Sequence, residues 1–202
     1  VALDLAQLTN APSDSAVHVP SDNVRKVYAT IDCDVADLLL ARELKCDAVL
    51  SHHPEGASTV YGWPLVRRQI DQMAEHGVPI AKAEAAVARR MAAVEIGSHG
   101  RNYGRVMQAA QLLRMPFLNV HLPCDIITRR LIAEKMVPFN QPDSRARVSA
   151  VVETLQEFPE QQRALTEPKI ALGSPDSFAG RVAVAIGGYT SGGVDVLQAY
   201  YE

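Results

Sequence analysis

Two adjacent histidines, His52 and His53, stand where an apolar run meets a proline in the stretch DAVLSHHPEG. The apolar residues predict a buried strand, and Pro54, which has no amide hydrogen, helps to end it. Side chains alternate faces along a strand, so both imidazoles reach one place only where the backbone turns. Two imidazoles in a turning backbone suit two neighbouring metal ions better than one. The alternative is that the two histidines stand together by chance.

A second imidazole and a carboxylate, His121 and Asp125, follow another apolar strand in the motif HLPCD. Parallel packing would place them at the same sheet edge as the first pair, where open α/β sheets hold their ligands. Imidazole suits Zn, Fe, Ni and Cu, and an added carboxylate extends the choice to Mn. Asp125 also has the position of a helix N-cap, which is the commoner role, and one carboxylate can do both. Cys124 could pair with His121 as a nucleophile, but a packed thiol is favoured.

The elements around the first motif form a β-α-β unit. Lys26–Asp32 is β-branched and apolar, and Asp34 with Asp37 gives the spacing that opens a helix over Val35–Lys45. Cys46–Ser51 is then a second short strand. Such a unit implies a right-handed parallel pair, so we predict an α/β fold with a largely parallel central sheet.

The rest of the chain alternates helices and short strands, with a proline-containing stretch near its carboxyl end. We predict a metal-site lobe over residues 1–137, a connector over 138–180 and the start of a second α/β lobe over 181–202. The further predicted elements are a helix from Pro64 to Gly77, helical segments over Ala81–Val94 and Arg105–Arg114, a break over Gly97–Gly104, a strand over Pro116–His121, helices over Ile126–Val137 and Arg147–Gln156, a strand over Arg181–Ile186, the loop Gly187–Gly193 and a helix from Val194.

Composition excludes several classes of protein. The 202 residues are 48% hydrophobic and carry a formal net charge of −3, without the basic excess of a nucleic-acid-binding protein. The three cysteines form no CxxC pair, which argues against a disulfide framework or a zinc knuckle. No apolar stretch approaches the length of a membrane helix, and the amino terminus lacks the basic and apolar blocks of a signal peptide. These features predict a cytoplasmic protein that binds neither nucleic acid nor membrane.

The strand, the helix LLLARELKCDAVL, the motif SHHP and the later H-x-x-x-D resemble the NIF-three-like family, also called YbgI-like or GTP cyclohydrolase I type 2-like. HLPCD stands where that family commonly has HTNLD, and RVAVAIGG resembles its later glycine-ended strand. The likeness covers about residues 26–64, 116–137 and 181–199. It implies an α/β protein that holds a pair of divalent metal ions (Zn, Fe, Mn or Ni) and forms a homo-oligomer, commonly a toroidal hexamer. It also implies that His52 and His53 are metal ligands, that Asp125 supplies an oxygen and that His121 lies in or near the same site.

The sequence departs from the family pattern twice. Between Gly77 and Pro116 it carries what looks like an insertion, near residues 78–115, which leaves the roles of His76 and His99 open. The family completes its site with a carboxy-terminal histidine and glutamate four residues apart, and no histidine follows His121 here. Glu202 is a poor substitute. We therefore expect either that the chain stops before those ligands, with the carboxy-terminal part missing, or that it holds one ion only.

Four further groups of residues carry weaker signals. Asp32 ends the first strand, and it either orients a histidine or belongs to the helix start. The loop GGYTSGG has phosphate-cradle geometry without the residues of a P-loop, and a plain turn is favoured. Four residues around the break could line a pocket for an anionic ligand or form a solvated loop: Arg101, Asn102, Tyr103 and Arg105. His18 and Asp22 repeat the four-residue spacing in a polar stretch and are predicted to lie at the surface.

Three functions are compatible with these residues. The first is a metal-dependent hydrolase in which activated water attacks a phosphate ester, an amide or a purine-ring carbon of a small-molecule substrate. The second is a metal-binding scaffold or interaction protein without turnover. The third is a plain α/β domain in which the histidines are incidental.

Overall fold

The computed structural model describes residues 1–189 and 192–201. The chain forms two compact units. The first contains Val1–Ile127 and the residues from Ala185 onward, and the second contains Thr128–Val184. The lobe boundaries expected at residues 137 and 180 stay a prediction.

The β-α-β unit predicted from the first fifty residues is confirmed. β2 (Val27–Thr30) and β3 (Ala48–Ser51) pair in parallel, with α2 (Val35–Glu43) between them. The Asp34 carboxylate accepts hydrogen bonds from the amides of Ala36 and Asp37, and the Asp37 carboxylate accepts one from the amide of Asp34. This reciprocal capping satisfies amides that would otherwise lack partners, so the helix begins at Val35.

Two more strands complete the sheet. β4 (Phe117–Asn119) pairs in parallel with β3, and β1 (Ala16–Val19) pairs antiparallel with β4, which gives the strand order β1-β4-β3-β2. The predicted α/β fold with a largely parallel sheet is therefore confirmed. Ser51 lies opposite Asn119, so β3 and β4 end at the same edge of the sheet. The residues that follow both strands emerge there together.

The helices fill the connections, and their bounds differ in places from those predicted. The helix predicted from Pro64 to Gly77 is a 3₁₀ turn, Trp63–Arg67, followed by α4 (Arg68–Glu75). The segment Ala81–Val94 is part of the 20-residue helix α5 (Ile80–His99), which runs through Gly97, where a break was predicted. The other helices in the described residues, besides α2, are α1 (Ala2–Leu5), α3 (Ala57–Tyr61), α6 (Arg105–Leu113), α7 (Leu122–Met136), the 3₁₀ turn Val137–Asn140, α8 (Val148–Gln156), α9 (Pro159–Arg163) and α10 (Gly193–Tyr201).

The strand predicted over Arg181–Ile186 is wrong. No strand is formed in this part of the described chain, although its residues alternate as a strand would. Side chains take the place of a neighbouring strand: the Val182 amide donates to Asn140 Oδ1 at 2.7 Å, and Arg129 Nε donates to the Val184 carbonyl at 3.0 Å. These two backbone groups are therefore satisfied without a sheet partner.

Two apolar clusters form the core of the first unit. The first includes Leu38 of α2, Val49 of β3 and Phe117 of β4, all fully buried. The second joins the 3₁₀ turn Trp63–Arg67, α4, α5 and α10 through Val66, Met73, Ala83, Val87 and Val196. Burying each of the larger apolar side chains stabilises the fold by about 1.5–3 kcal/mol. The first cluster therefore holds the strands in place, and the second holds α5. Within the described residues, no helix is both long and apolar enough to cross a membrane.

Candidate metal centre

Three histidines come together where β3 and β4 end. His52 and His53 directly follow β3, and His121 lies two residues beyond β4. One ligand atom from each lies within 4.8 Å of the others, so the three imidazoles could hold a metal ion. The ring centroids of His52 and His121 are 4.7 Å apart, and those of His52 and His53 are 5.2 Å apart. Stretches of chain that are distant in sequence therefore meet at one point.

The Nδ1 atom of each of these histidines already has a hydrogen-bond partner. His121 Nδ1 lies 2.7 Å from Asp14 Oδ2, His53 Nδ1 lies 2.6 Å from Asp32 Oδ1, and His52 Nδ1 lies 3.2 Å from the Val120 carbonyl oxygen. Each partner is an acceptor, so each Nδ1 carries the proton and donates it. This leaves the Nε2 lone pair of every ring available, which is the arrangement of metal-ligating histidines.

The Asp125 carboxylate faces two of these Nε2 atoms. Its Oδ1 lies 3.5 Å from Nε2 of His52, and its Oδ2 lies 3.9 Å from Nε2 of His121. In the protonated ring, His52 Nε2–H can donate a hydrogen bond to this carboxylate, and this interaction raises the pKa of His52, against the lowering effect of burial. α7 begins at Leu122, so Asp125 lies in its first turn and the N-cap alternative is wrong. Three imidazoles and one carboxylate form a donor set that suits a divalent transition metal.

Asp14 is a site residue that sequence reasoning missed. Its side chain is completely buried, and its carboxylate receives hydrogen bonds from His121 and, at 3.1 Å, from Ser15 Oγ. Its backbone carbonyl accepts a hydrogen bond from the Asn119 side-chain amide. The pairing with His121 spans 107 positions of sequence, and no local pattern marks an aspartate in a polar loop for that role. Asp32, by contrast, takes the orienting role that the sequence offered as one alternative.

Tyr189, in the loop after residue 186, covers one side of the centre. Its hydroxyl donates to the Thr59 carbonyl oxygen at 2.6 Å, and its ring packs edge to face on His121 with centroids 5.9 Å apart. Its φ of 70° is strained for a bulky residue, so the surrounding contacts hold it. Two residues of the predicted GGYTSGG loop, at positions 190 and 191, and also Glu202, lie outside the described residues. Gly188 packs on Gln69, in keeping with a packed turn.

The neighbouring thiol is a poor nucleophile. Cys124 is half-buried, and burial raises the pKa of its thiol, with the nearby Asp125 charge acting in the same direction. A thiol needs a lowered pKa to be reactive near neutral pH. The packed-thiol alternative is therefore the one the structure favours.

Two cavities open at the centre. One of about 300 Å³ is lined by the three histidines and Asp125, and Ala185–Gly187 and Tyr189 line it too. A second, of about 450 Å³, shares His53, His121 and Tyr189 with the first and extends to Arg101. Of the four residues that could line a pocket for an anionic ligand or form a solvated loop, Arg101 lines this cavity, whereas Asn102, Tyr103 and Arg105 do not. Glu55 also lines it, and burial raises the pKa of Glu55 to about 7.

The remaining histidines lie outside the cluster. His18 of β1, predicted to lie at the surface, is partly buried: its ring stacks on Phe117 at 5.0 Å, and its Nε2 bonds Asn119 Oδ1 at 2.8 Å. His76 packs edge to face on Tyr200 with centroids 5.7 Å apart. His99 is the last residue of α5 and is exposed. None of the three belongs to the group of described residues that could hold a metal.

Taken together, the sheet and its edge define an α/β protein with a histidine cluster suited to a divalent metal ion. No protein-family model matches the chain, and no curated protein matches it. The chain is similar to the crystal structure of an NIF3 superfamily protein from Sphaerobacter thermophilus, with 36% sequence identity and a TM-score of 0.95. The match covers 99% of this chain and 74% of that one, so it includes most of residues 78–115. The chain belongs to the NIF3 superfamily.

Proposed function

We propose that the chain is a divalent-metal-dependent hydrolase whose ions are held by His52, His53, His121 and Asp125. The observation that carries this proposal is the orientation of the three imidazoles. Because every Nδ1 donates to an oxygen, every Nε2 is left as a ligand atom at the same sheet edge. A structural histidine has no need for this shared arrangement, and three of them beside a carboxylate suit a bound cation.

The proposal includes two ions of Zn, Fe, Mn or Ni. Two adjacent histidines on a turning backbone, with a carboxylate that faces two different imidazoles, suit a paired site better than a single tetrahedral one. When bound, divalent ions supply Lewis acidity, which acidifies water and polarises a phosphoryl or carbonyl oxygen.

Residues around the histidines orient the imidazole rings and limit the access of water to them. Asp14 and Asp32 accept hydrogen bonds from the protonated Nδ1 atoms of His121 and His53, so that each ring keeps the tautomer with a free Nε2. Tyr189 shields one side of His121 from water. The adjoining cavity of about 450 Å³ leaves room for a small-molecule substrate next to His53 and His121.

Metal analysis of purified variants tests the metal site. We expect about two ions per chain in the wild type and fewer in His53→Ala and Asp125→Ala. The matched control is His99→Ala, because His99 is exposed and lies outside the cluster. Unchanged metal content in His53→Ala would end the paired-ion proposal.

A screen against phosphomonoesters, phosphodiesters and nucleotides tests the hydrolase. We expect turnover that a chelator abolishes and that added divalent ion restores. Metal binding without any turnover would contradict the hydrolase and leave the alternative of a metal-binding scaffold.

We also propose a homo-oligomer, with the hexamer of the family resemblance as the expected state. Three leucines of α2 and the turn after it, Leu39, Leu40 and Leu44, are between 42% and 47% exposed, which supports contact with another copy. Light scattering after gel filtration measures the mass in solution, and a monomer at micromolar concentration would contradict the proposal.

A further inference from the structure

A chain of hydrogen bonds runs from the edge strand β1 to the metal centre and ends on His121. His18 of β1 contacts Asn119, the last residue of β4, with 2.8 Å between His18 Nε2 and Asn119 Oδ1. Asn119 Nδ2 lies 2.6 Å from the backbone oxygen of Asp14. The Asp14 carboxylate in turn lies 2.7 Å from Nδ1 of His121, 107 positions further along the sequence. Two residues outside the histidine cluster are therefore connected to one of its imidazoles.

The direction of each hydrogen bond follows from the Asp14 carbonyl. A carbonyl oxygen only accepts, so the Asn119 atom that faces it is the amide nitrogen, and the other amide atom is the oxygen. His18 Nε2 therefore carries a proton and donates it to Asn119. Burial lowers the pKa of His18, and the hydrogen bond with Asn119 acts in the opposite direction. The ring is therefore neutral near physiological pH, and its single N–H is the one that Asn119 accepts.

A break in the strand register sets the direction of the His18 side chain. The pairing of β1 with β4 shifts between Val17 and Val19, so His18 is an extra residue on β1, as in a β-bulge. Bulges re-aim a side chain and are frequent beside functional sites. The His18 ring also stacks on Phe117, with centroids 5.0 Å apart. The imidazole is therefore held on its face by Phe117 and at its Nε2 by Asn119.

Asn119 holds the backbone of Asp14 in place. Asp14 lies two residues before β1, so it is outside the ladder of strand hydrogen bonds. Asn119 is 1% exposed, and water cannot easily take the place of its bond to the Asp14 carbonyl. A shift of this backbone would move the carboxylate that orients His121.

We propose that His18 and Asn119 are positioning residues of the metal centre. His18 keeps the Asn119 amide in one orientation, and that amide fixes the Asp14 backbone. The Asp14 carboxylate then keeps His121 in the tautomer whose Nε2 is free to bind an ion. The inference rests on the proposed metal centre for its effect on metal binding, and it adds two residues to the support of one ligand.

Two substitutions of His18 separate the hydrogen bond from the packing of the ring. His18→Phe keeps an aromatic ring against Phe117 but removes the N–H, whereas His18→Gln loses the ring but can place an amide N–H near the position of Nε2. The measurement is Zn²⁺ affinity by competition with a chromogenic chelator. We expect about threefold to tenfold weaker binding in His18→Phe, the usual effect of one lost hydrogen bond, and a change of less than about twofold in His18→Gln. The reverse order of the two variants would assign His18 to packing and overturn the inference.

A double-mutant cycle tests whether His18 and Asn119 act as one chain. Asn119→Leu keeps the approximate size of the side chain and removes both of its hydrogen bonds, so we expect Zn²⁺ binding about tenfold weaker or more. Adding His18→Phe to this variant should cause less than about a twofold further loss, because the amide that His18 holds is already absent. Full, independent losses that multiply in the double variant would contradict the chain.

Nitrogen-15 NMR of the metal-free protein gives a readout that needs no ion. At about pH 8.5, where an ordinary imidazole is neutral, we expect the His121 proton on Nδ1 in the wild type and in His18→Gln. A measurable share should move to Nε2 in His18→Phe and Asn119→Leu, while the exposed His99 stays unchanged as the internal reference. A His121 tautomer that is the same in all four proteins would overturn the inference. If the wild type binds no Zn²⁺, the proposed metal centre fails, and the His121 tautomer still decides whether His18 and Asn119 position this ring.

Discussion

The hydrogen bond of 2.7 Å from His121 Nδ1 to Asp14 Oδ2 fixes the orientation of one of the three clustered imidazoles. Asp14 is fully buried, so water cannot replace its carboxylate, whereas the Asp32 side chain that holds His53 is 85% exposed. The two aspartates therefore have the same chemical task in opposite environments. Because it is buried, Asp14 should contribute far more than Asp32 to the orientation of its histidine.

We expect Asp14→Asn to weaken metal binding by about tenfold to a hundredfold, the usual effect of removing a carboxylate that orients a ligating histidine. Asparagine keeps the size of the side chain but can present its amide NH₂ to Nδ1, which disturbs the tautomer. The measurement is competition with a chromogenic chelator. The matched control is Asp32→Asn, for which we expect a smaller loss because solvent can take its place. Equal losses in the two variants would contradict the role assigned to burial.

At the scale of elements, the capping of α2 tests how the β-α-β unit is built. Asp34→Ala removes the acceptor for the Ala36 and Asp37 amides, so we expect a loss of about 1 kcal/mol in the free energy of unfolding. Urea titration measures it. Asp22→Ala, an exposed aspartate outside any helix, should change stability by less than about 0.5 kcal/mol. A loss as large in the control would mean that charge, rather than capping, stabilises the protein.

The elements that the sequence predicted are those specified by local patterns. The apolar run before His52, the Asp34–Asp37 pair and the proline after His53 each act within a few residues, and the unit they predict is confirmed. Arg181–Ile186 has the same alternation as a strand, but a strand also needs a neighbour. Here the side chains of Asn140 and Arg129 bond to backbone groups of Val182 and Val184 instead. β1 was not predicted because a four-residue edge strand carries too little pattern.

The site was predictable to the same extent and for the same reason. Parallel strands end at one edge, so the residues after β3 and β4 could be placed together from sequence, and the structure brings His52, His53 and His121 within reach of one another. The hydrogen-bond partners of the Nδ1 atoms were harder to predict from the sequence. Asp14 and the Val120 carbonyl lie far along the chain from the histidines they bind, and only the folded sheet brings them near.

For the whole molecule, the two units differ in how much they bury. The first contains both apolar clusters, including the fully buried Leu38 and Ala41 of α2. Every residue of Thr128–Val184 is described, and Met136 is its one buried residue. Since local stability follows buried apolar contacts, the second unit should open at a lower free-energy cost than the first.

Hydrogen exchange measured by mass spectrometry compares two helices of equal length in the two units. α2 and α8 each have nine residues, but α8 has no buried residue. We expect the amides of α8 to exchange on the order of tenfold to a hundredfold faster than those of α2. Added divalent ion should slow exchange in β3 and around His121, because a ligand stabilises the state that binds it. Exchange in α8 should stay unchanged on addition of the ion if α8 opens independently of the histidine cluster. Protection in α8 equal to that in α2 would show that the second unit gains its stability from contacts other than its own buried side chains.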